Sequence, residues 1–237
     1  MKDRLLPALD VMTRAEAVDW AGRLSGHVTT VKIGLRLFIG EGPDMVREIR
    51  GKGLRIFLDL KLHDIPSTVK AAASASAALD ISMMTVHASG GPSMIRAAVE
   101  GANGRAKIIA VTVLTSLGPD EAEAIHRDGR SPQQRVLDWA ALAIEAGADG
   151  VVSSPQEVAA LRKSLPSTKR GELPLIITPG IRPASAAKND DQSRTATAGE
   201  AIRNGATHIV VGRPILEAAD PIASLSEILG EMKGVLA

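Results

Sequence analysis

Short apolar runs rich in Val, Ile and Leu recur along the chain. Each gives way to a Gly, Pro, Ser or Asp break and then to a longer stretch whose apolar residues return every three or four positions. The runs at 5–9, 30–33, 55–60, 81–86, 107–114, 150–153, 175–178 and 208–211 predict eight strands. The periodic stretches at 15–24, 43–51, 67–79, 92–101, 132–146, 155–165, 197–204 and 223–232 predict helices between and after them. Strict alternation with mostly apolar strands predicts a parallel sheet covered by helices. Eight such units close into an α/β fold of the (β/α)8 (TIM) barrel type, and 237 residues is near the ~250 usual for it. A doubly wound open sheet is the alternative, but no G-x-G-x-x-G follows the first strand, where a dinucleotide fold carries it. No Pro- or Ser-rich linker divides the chain, so residues 1–237 are read as a single barrel domain.

Composition narrows the chemistry. The chain has no cysteine, which removes disulfides and thiolate metal sites and fits a reducing, cytoplasmic setting. No apolar stretch reaches the length of a membrane span or an export segment. The net charge is +1, and the aromatics are Trp20, Phe38, Phe57 and Trp139 alone, a poor basis for a nucleic-acid surface with stacking platforms. No nucleic-acid or membrane partner is therefore expected. The Ala-rich stretch 71–78 reads as helix former rather than disordered low complexity.

In such a barrel the active site lies at the carboxyl ends of the strands, so the polar residues ending each apolar run are the candidates. They are Asp10, Lys32, Asp59, Lys61, Asp64, His87, Thr115, Ser116, the segment Thr178-Pro179-Gly180-Ile181-Arg182, and Gly212-Arg213. Any one strand-terminal Asp could merely cap a loop. The segment Phe57-Leu58-Asp59-Leu60-Lys61-Leu62-His63-Asp64-Ile65-Pro66 is the strongest signal. Two residues apart on a strand, Asp59 and Lys61 share a face, inward if Leu58 and Leu60 face the helices. A buried structural ion pair is one reading of them. Lys32 in a second strand extends the pair to an alternating Lys32–Asp59–Lys61–Asp64 array, which is expensive for stability alone.

Carboxylates on both sides favour the charged form of Lys61, so it is expected to donate a proton rather than form a Schiff base. The same lysines already serve as counter-ions to the carboxylates that could bind a divalent metal, and the five histidines are scattered, so neither metal nor cofactor is expected. The glycines and arginines of 180–182 and 212–213 sit where barrels of this class bind phosphate, through backbone N–H groups and a short helix start. The polar stretch 186–197 reads as a mobile loop, either a lid over phosphate or a solvated connection.

These residues resemble those of the orotidine 5′-phosphate decarboxylase family from the first strand to the last. The match runs through Ala8-Leu9-Asp10, Val31-Lys32-Ile33-Gly34, the Asp-x-Lys-x-x-Asp signature Asp59 to Asp64 with Ile65-Pro66, Leu114-Thr115-Ser116, Thr178 to Arg182, Asp190-Asp191-Gln192 and Val211-Gly212-Arg213. Leu62 stands where an aromatic is common in that family, and Ser67 where Asn is common. The resemblance implies metal- and cofactor-free decarboxylation of orotidine 5′-phosphate to uridine 5′-phosphate, a step of pyrimidine biosynthesis. It implies that Asp10 and Lys32 bind ribose hydroxyls or complete the charge array, that Asp59 faces the substrate carboxylate, and that Lys61 protonates carbon 6 of the base. Thr115 and Ser116 would lie near the base. Pro179, Arg182, Gln192, Gly212 and Arg213 would line the substrate site, four of them at the phosphate. It further implies a homodimer in which Asp64, Ile65 and Thr68 reach the neighbouring subunit's site.

A sister group of magnesium-dependent sugar-phosphate lyases shares the signature, but there the strand-two position carries an acidic residue instead of Lys32. A phosphosugar isomerase on the same barrel and a catalytically silent nucleotide-binding barrel are the more distant alternatives.

Overall fold

The computed structural model describes residues 1–182 and 195–235. Eight parallel strands run β1 (Leu5–Pro7), β2 (Thr30–Gly34), β3 (Arg55–Leu62), β4 (Met83–His87), β5 (Lys107–Val111), β6 (Gly150–Val152), β7 (Leu175–Thr178) and β8 (His208–Val211). They pair in sequence order from β2 to β8, with β1 against β8. The Ala8–Lys32 bridge, in which Leu9 N–H donates to Lys32 O at 2.9 Å, brings β1 to β2 and closes the barrel. The expected (β/α)8 architecture is the one observed, and the open-sheet alternative falls away.

Among the described residues ten helices follow the strands: α1 (Arg14–Leu24), α2 (Leu35–Arg50), α3 (Pro66–Ala77), α4 (Gly91–Ala102), α5 (Pro119–His126), α6 (Pro132–Ala146), α7 (Val158–Ser164), α8 (Ala198–Arg203), α9 (Arg213–Leu216) and α10 (Pro221–Lys233). None among the described residues is long and apolar enough to cross a membrane. The reading of 43–51 as the second helix was too short. α2 starts directly after β2 on Gly34 and runs through a kink at Gly42, whose φ of 71° only glycine adopts freely. α5 and α9 were not anticipated at all.

Alternation along the strands sorts two layers. Val31, Ile33 and Leu58 face the helices, while Leu6, Phe57, Met83, Ile109 and Ile177 form a separate cluster inside the barrel. That inner cluster plugs the barrel's middle, and among the described residues the open space within the barrel lies at the carboxyl ends of the strands. α3 and α4 approach so closely that a Cβ on Gly101 would lie 2.2 Å from Lys70 O, which clamps together the two units carrying β3 and β4.

At the opposite end, His208 on β8 is largely buried, its Nδ1 2.9 Å from Thr207 Oγ1. Burial, then the nearby Arg4 cation, depresses its pKa from 6.5 to about 4. Between those values the unfolded chain binds a proton that the folded chain refuses. The stability that His208 contributes should therefore be full above pH 6.5, fall as the pH drops, and level off below about 4, a loss of about 3 kcal/mol at 1.36 kcal/mol per unit. Urea unfolding across that window tests it. His208→Gln should flatten the slope, and an unchanged slope in that variant would refute the assignment.

Candidate active site

The carboxyl end of the barrel holds a cavity of about 610 Å³ whose floor includes Phe57, Val152 and Val210. On its β1–β3 side four charges alternate. Lys32 Nζ donates to Asp10 Oδ1 at 3.0 Å and lies 3.6 Å from Asp59 Oδ2. Lys61 Nζ lies 2.9 Å from both Asp59 oxygens. Lys32 and Asp59 are 8 % and 9 % exposed. Burying such groups costs several kcal/mol per ion, and a packed apolar replacement is often the more stable, so stability alone does not account for this row. Glycine at position 34 makes room for it, since a Cβ there would lie 3.0 Å from Lys32 Nζ and 3.4 Å from Asp10 Oδ1.

Asp59 and Lys61 do not meet by the simple alternation expected of them. β3 pairs with β4 as Leu58–Met84 and then Leu62–Val86, so Asp59, Leu60 and Lys61 together stand opposite the one residue Thr85. Lys61 takes a left-handed conformation, φ 51°, which costs a non-glycine residue roughly 1–2 kcal/mol. The bulge turns the lysine back over Asp59. Thr85, fully buried, fills the gap in the ladder: its Oγ1 accepts from Lys61 N–H at 2.8 Å and donates to Asp59 Oδ1 at 2.9 Å.

Burial pushes the Asp59 carboxyl up, but the Lys32 and Lys61 ammoniums and the hydrogen bonds from Lys61 and Thr85 outweigh it and hold the pKa below the usual carboxylate range. Asp59 is thus an anion at neutral pH. His87, at the end of β4, is shifted below its ordinary value by burial, then by His63 and Lys61, and its ring lies 5.4 Å from that of His63. Among the described residues no three His, Cys, Asp or Glu side chains form a group that could hold a metal ion.

Of the residues singled out from sequence, Asp10, Lys32, Asp59, Lys61, Thr115, Pro179, Arg182, Gly212 and Arg213 line this one cavity. Ser116 is exposed and outside it. Gln192 lies outside the described residues, as does most of the expected lid at 186–197. Asp64, Ile65 and Thr68 are exposed and also outside the cavity. The expected array therefore changes at one end: within the chain its fourth member is Asp10, because Asp64 sits past the strand and accepts from Ile65 N–H at 2.6 Å.

Two further charged residues, Arg36 and Glu217, line the cavity without having been anticipated. With them the walls carry five cations (Lys32, Arg36, Lys61, Arg182, Arg213) against three carboxylates (Asp10, Asp59, Glu217), an excess suited to a multiply anionic ligand. The β7 turn bends at Gly180, φ 78°, and is pinned by Arg182 N–H donating to Ala196 O at 3.0 Å. Gly212 leads straight into the short α9. Two backbone turns and two arginines thus face the cavity from the β7–β8 side, opposite Lys61.

The chain is similar to known proteins along nearly its whole length. Residues 3–228 match the model of the Orotidine 5′-phosphate decarboxylase / HUMPS family. It is 48 % identical over 226 residues to an orotidine 5′-phosphate decarboxylase of Anaeromyxobacter dehalogenans, covering 95 % of this chain and 96 % of that one. It is 43 % identical over 242 residues to the enzyme of that name from Syntrophomonas wolfei, covering 98 % of each. Among solved structures, orotidine 5′-phosphate decarboxylase from Lactobacillus acidophilus superposes with a TM-score of 0.83 at 38 % identity, over 97 % of this chain and 99 % of that one.

Proposed function

Because the chain belongs to the orotidine 5′-phosphate decarboxylase / HUMPS family, we propose that its cavity binds orotidine 5′-phosphate and that the buried charge row performs the decarboxylation without metal or cofactor. The chain is a carboxy-lyase of pyrimidine biosynthesis. The observation that carries the mechanism is the Lys61 ammonium held 2.9 Å from both oxygens of an anionic Asp59, with Lys32 behind it.

The substrate's phosphate sits between the turns of Gly180–Arg182 and Gly212–Arg213, with Pro179 beside it, and its ribose meets Asp10 and Lys32. The base reaches toward Thr115 and Ser116. This places the carboxylate at C6 against Asp59. As the C6–carboxyl bond breaks, carbon dioxide departs and the bonding pair stays on C6, a position the ring delocalises poorly. The fixed ammonium of Lys61 lies at that developing charge and stabilises it before giving up a proton to C6. Lys61 is reprotonated from solvent once product leaves. Asp59 holds Lys61 charged and in place, and its repulsion of the substrate carboxylate is offset by phosphate binding remote from the reacting bond. Gln192, which lies outside the described residues, is assigned to the same phosphate on the family resemblance alone.

The working unit in this reading is a homodimer of 1–237 barrels. Ile65 is 65 % exposed, Ile39 76 % and Met12 66 %, and all three follow neighbouring strands at one side of the barrel mouth. An apolar rim of this kind calls for a cover, and a second copy brings Asp64, Ile65 and Thr68 to the partner's cavity. A phosphorylated nucleotide does not cross membranes unaided, so the reaction is placed in the cytoplasm.

The deciding assay follows the fall in ultraviolet absorbance as purified protein converts orotidine 5′-phosphate to uridine 5′-phosphate in EDTA. Turnover unaffected by EDTA is the expected result. No turnover in EDTA or in magnesium, with activity on a sugar phosphate instead, would move the chain to the other branch of its family.

A further inference from the structure

We infer that Thr85 is a positioning residue, whose hydroxyl locks the Asp59 carboxylate and the Lys61 backbone into one arrangement. The inference rests on the mechanism proposed above. Thr85 is the one residue of β4 that faces the three-residue bulge of β3. A bulge leaves a backbone N–H without a ladder partner, and here the orphan is the N–H of Lys61 itself, which donates to Thr85 Oγ1 at 2.8 Å. A hydroxyl has one proton. With the oxygen already accepting from a backbone donor, that proton is free to go only to an acceptor, and Asp59 Oδ1 receives it at 2.9 Å. The direction of both bonds is therefore fixed, and a single side chain ties the left-handed backbone of the proton donor to the orientation of its counter-ion. Asp59 Oδ2 is thereby left turned toward Lys32 and the cavity. Thr85 is fully buried, so water does not compete for either bond. It is not a catalytic residue, because it acts only through Asp59 and Lys61.

The test compares Thr85→Val, which keeps the shape and removes the hydroxyl, with Thr85→Ser, which keeps the hydroxyl. Thr85→Ala serves as a second hydroxyl-free variant should valine pack poorly. Loss of the lock should lower kcat about 10²-fold, the effect of a ~1 Å misplacement, with KM changed by no more than about threefold, since the phosphate and ribose contacts are untouched. Thr85→Ser should recover most of kcat. Removing a donor from the Asp59 anion should also move the acid limb of the kcat/KM profile to higher pH, and raise the titration point of the Asp59 carboxyl carbon in 13C NMR. A kcat within about threefold of wild type in folded Thr85→Val or Thr85→Ala overturns the inference, as does Thr85→Ser being as slow as either. Should the wild-type protein itself leave orotidine 5′-phosphate unchanged, the mechanism above fails. The NMR titration then decides the lock alone: a raised Asp59 value in the hydroxyl-free variants upholds it, an unaltered one rejects it.

Discussion

Lys61→Ala should lower kcat at least about 10⁴-fold, or about 5.4 kcal/mol at 1.36 kcal/mol per decade, while leaving the affinity for uridine 5′-phosphate within about an order of magnitude of wild type. Two effects multiply. Loss of one preorganised donor at a developing charge costs about 10²–10³-fold, and loss of a positioned general acid costs about 10²–10⁴-fold. The fold should tolerate the change. Alanine in the left-handed conformation at position 61 meets the same steric cost as lysine, its N–H still reaches Thr85, and Asp59 keeps Lys32 as a counter-ion. Product binding is the control, because the phosphate contacts are assigned to the β7–β8 side opposite Lys61, and the ribose contacts to Asp10 and Lys32, which the substitution leaves in place. Turnover within about tenfold of wild type would remove Lys61 from the chemistry. A collapse of uridine 5′-phosphate binding would instead make it a binding residue.

The barrel was legible because its signal is distributed. Each strand is an apolar run and each helix a periodic stretch, and eight repetitions leave few topologies to choose from. What the pattern missed was decided by tertiary contacts or by glycine and proline. Gly40, Gly42 and Pro43 look like helix breakers, yet the helix begins upstream at Leu35 and absorbs the break as a kink. α5 lies in a stretch of mixed charge with no strong apolar face, and it is held by Arg135 of α6. That fully buried guanidinium pairs with Asp128 and lies 3.7 Å from Glu123. No local propensity encodes such a clamp.

The site was legible in its charged members and not in its geometry. Lys32, Asp59 and Lys61 stood out because charge inside an apolar run is rare, and the structure puts them side by side. Regular alternation would have brought Asp59 and Lys61 to one face, but the bulge that achieves it depends on Thr85, a modest polar residue in the next strand. A threonine within a buried run carries a weak signal, since its methyl group lets it pass for valine. Arg36 and Glu217 escaped for another reason. They belong to the first turn of α2 and the end of α9, and their place at the cavity follows from helix orientation, which spacing alone does not reveal.

Mixing two inactive variants should restore activity. Asp64 is exposed, lies outside its own chain's cavity and belongs to the turn between β3 and α3. If it completes the charge row of a partner, Asp64→Ala should be nearly as inactive as Lys61→Ala, since the row would lose its outer carboxylate and Lys61 the second of its two anionic neighbours. Each Lys61→Ala chain still offers a sound Asp64, and each Asp64→Ala chain a sound Lys61. A heterodimer of the two therefore holds one complete site and one site lacking both groups. Random exchange of equal amounts makes half of the dimers hetero, so the recovered activity should approach about a quarter of wild type, at an exchange rate set by subunit dissociation. Sedimentation of the same samples checks that they are dimers, the expected result. Recovery absent from exchanged dimers would show that Asp64 acts within its own chain or not at all. Full activity of Asp64→Ala alone would restrict the catalytic row to the four charges Asp10, Lys32, Asp59 and Lys61.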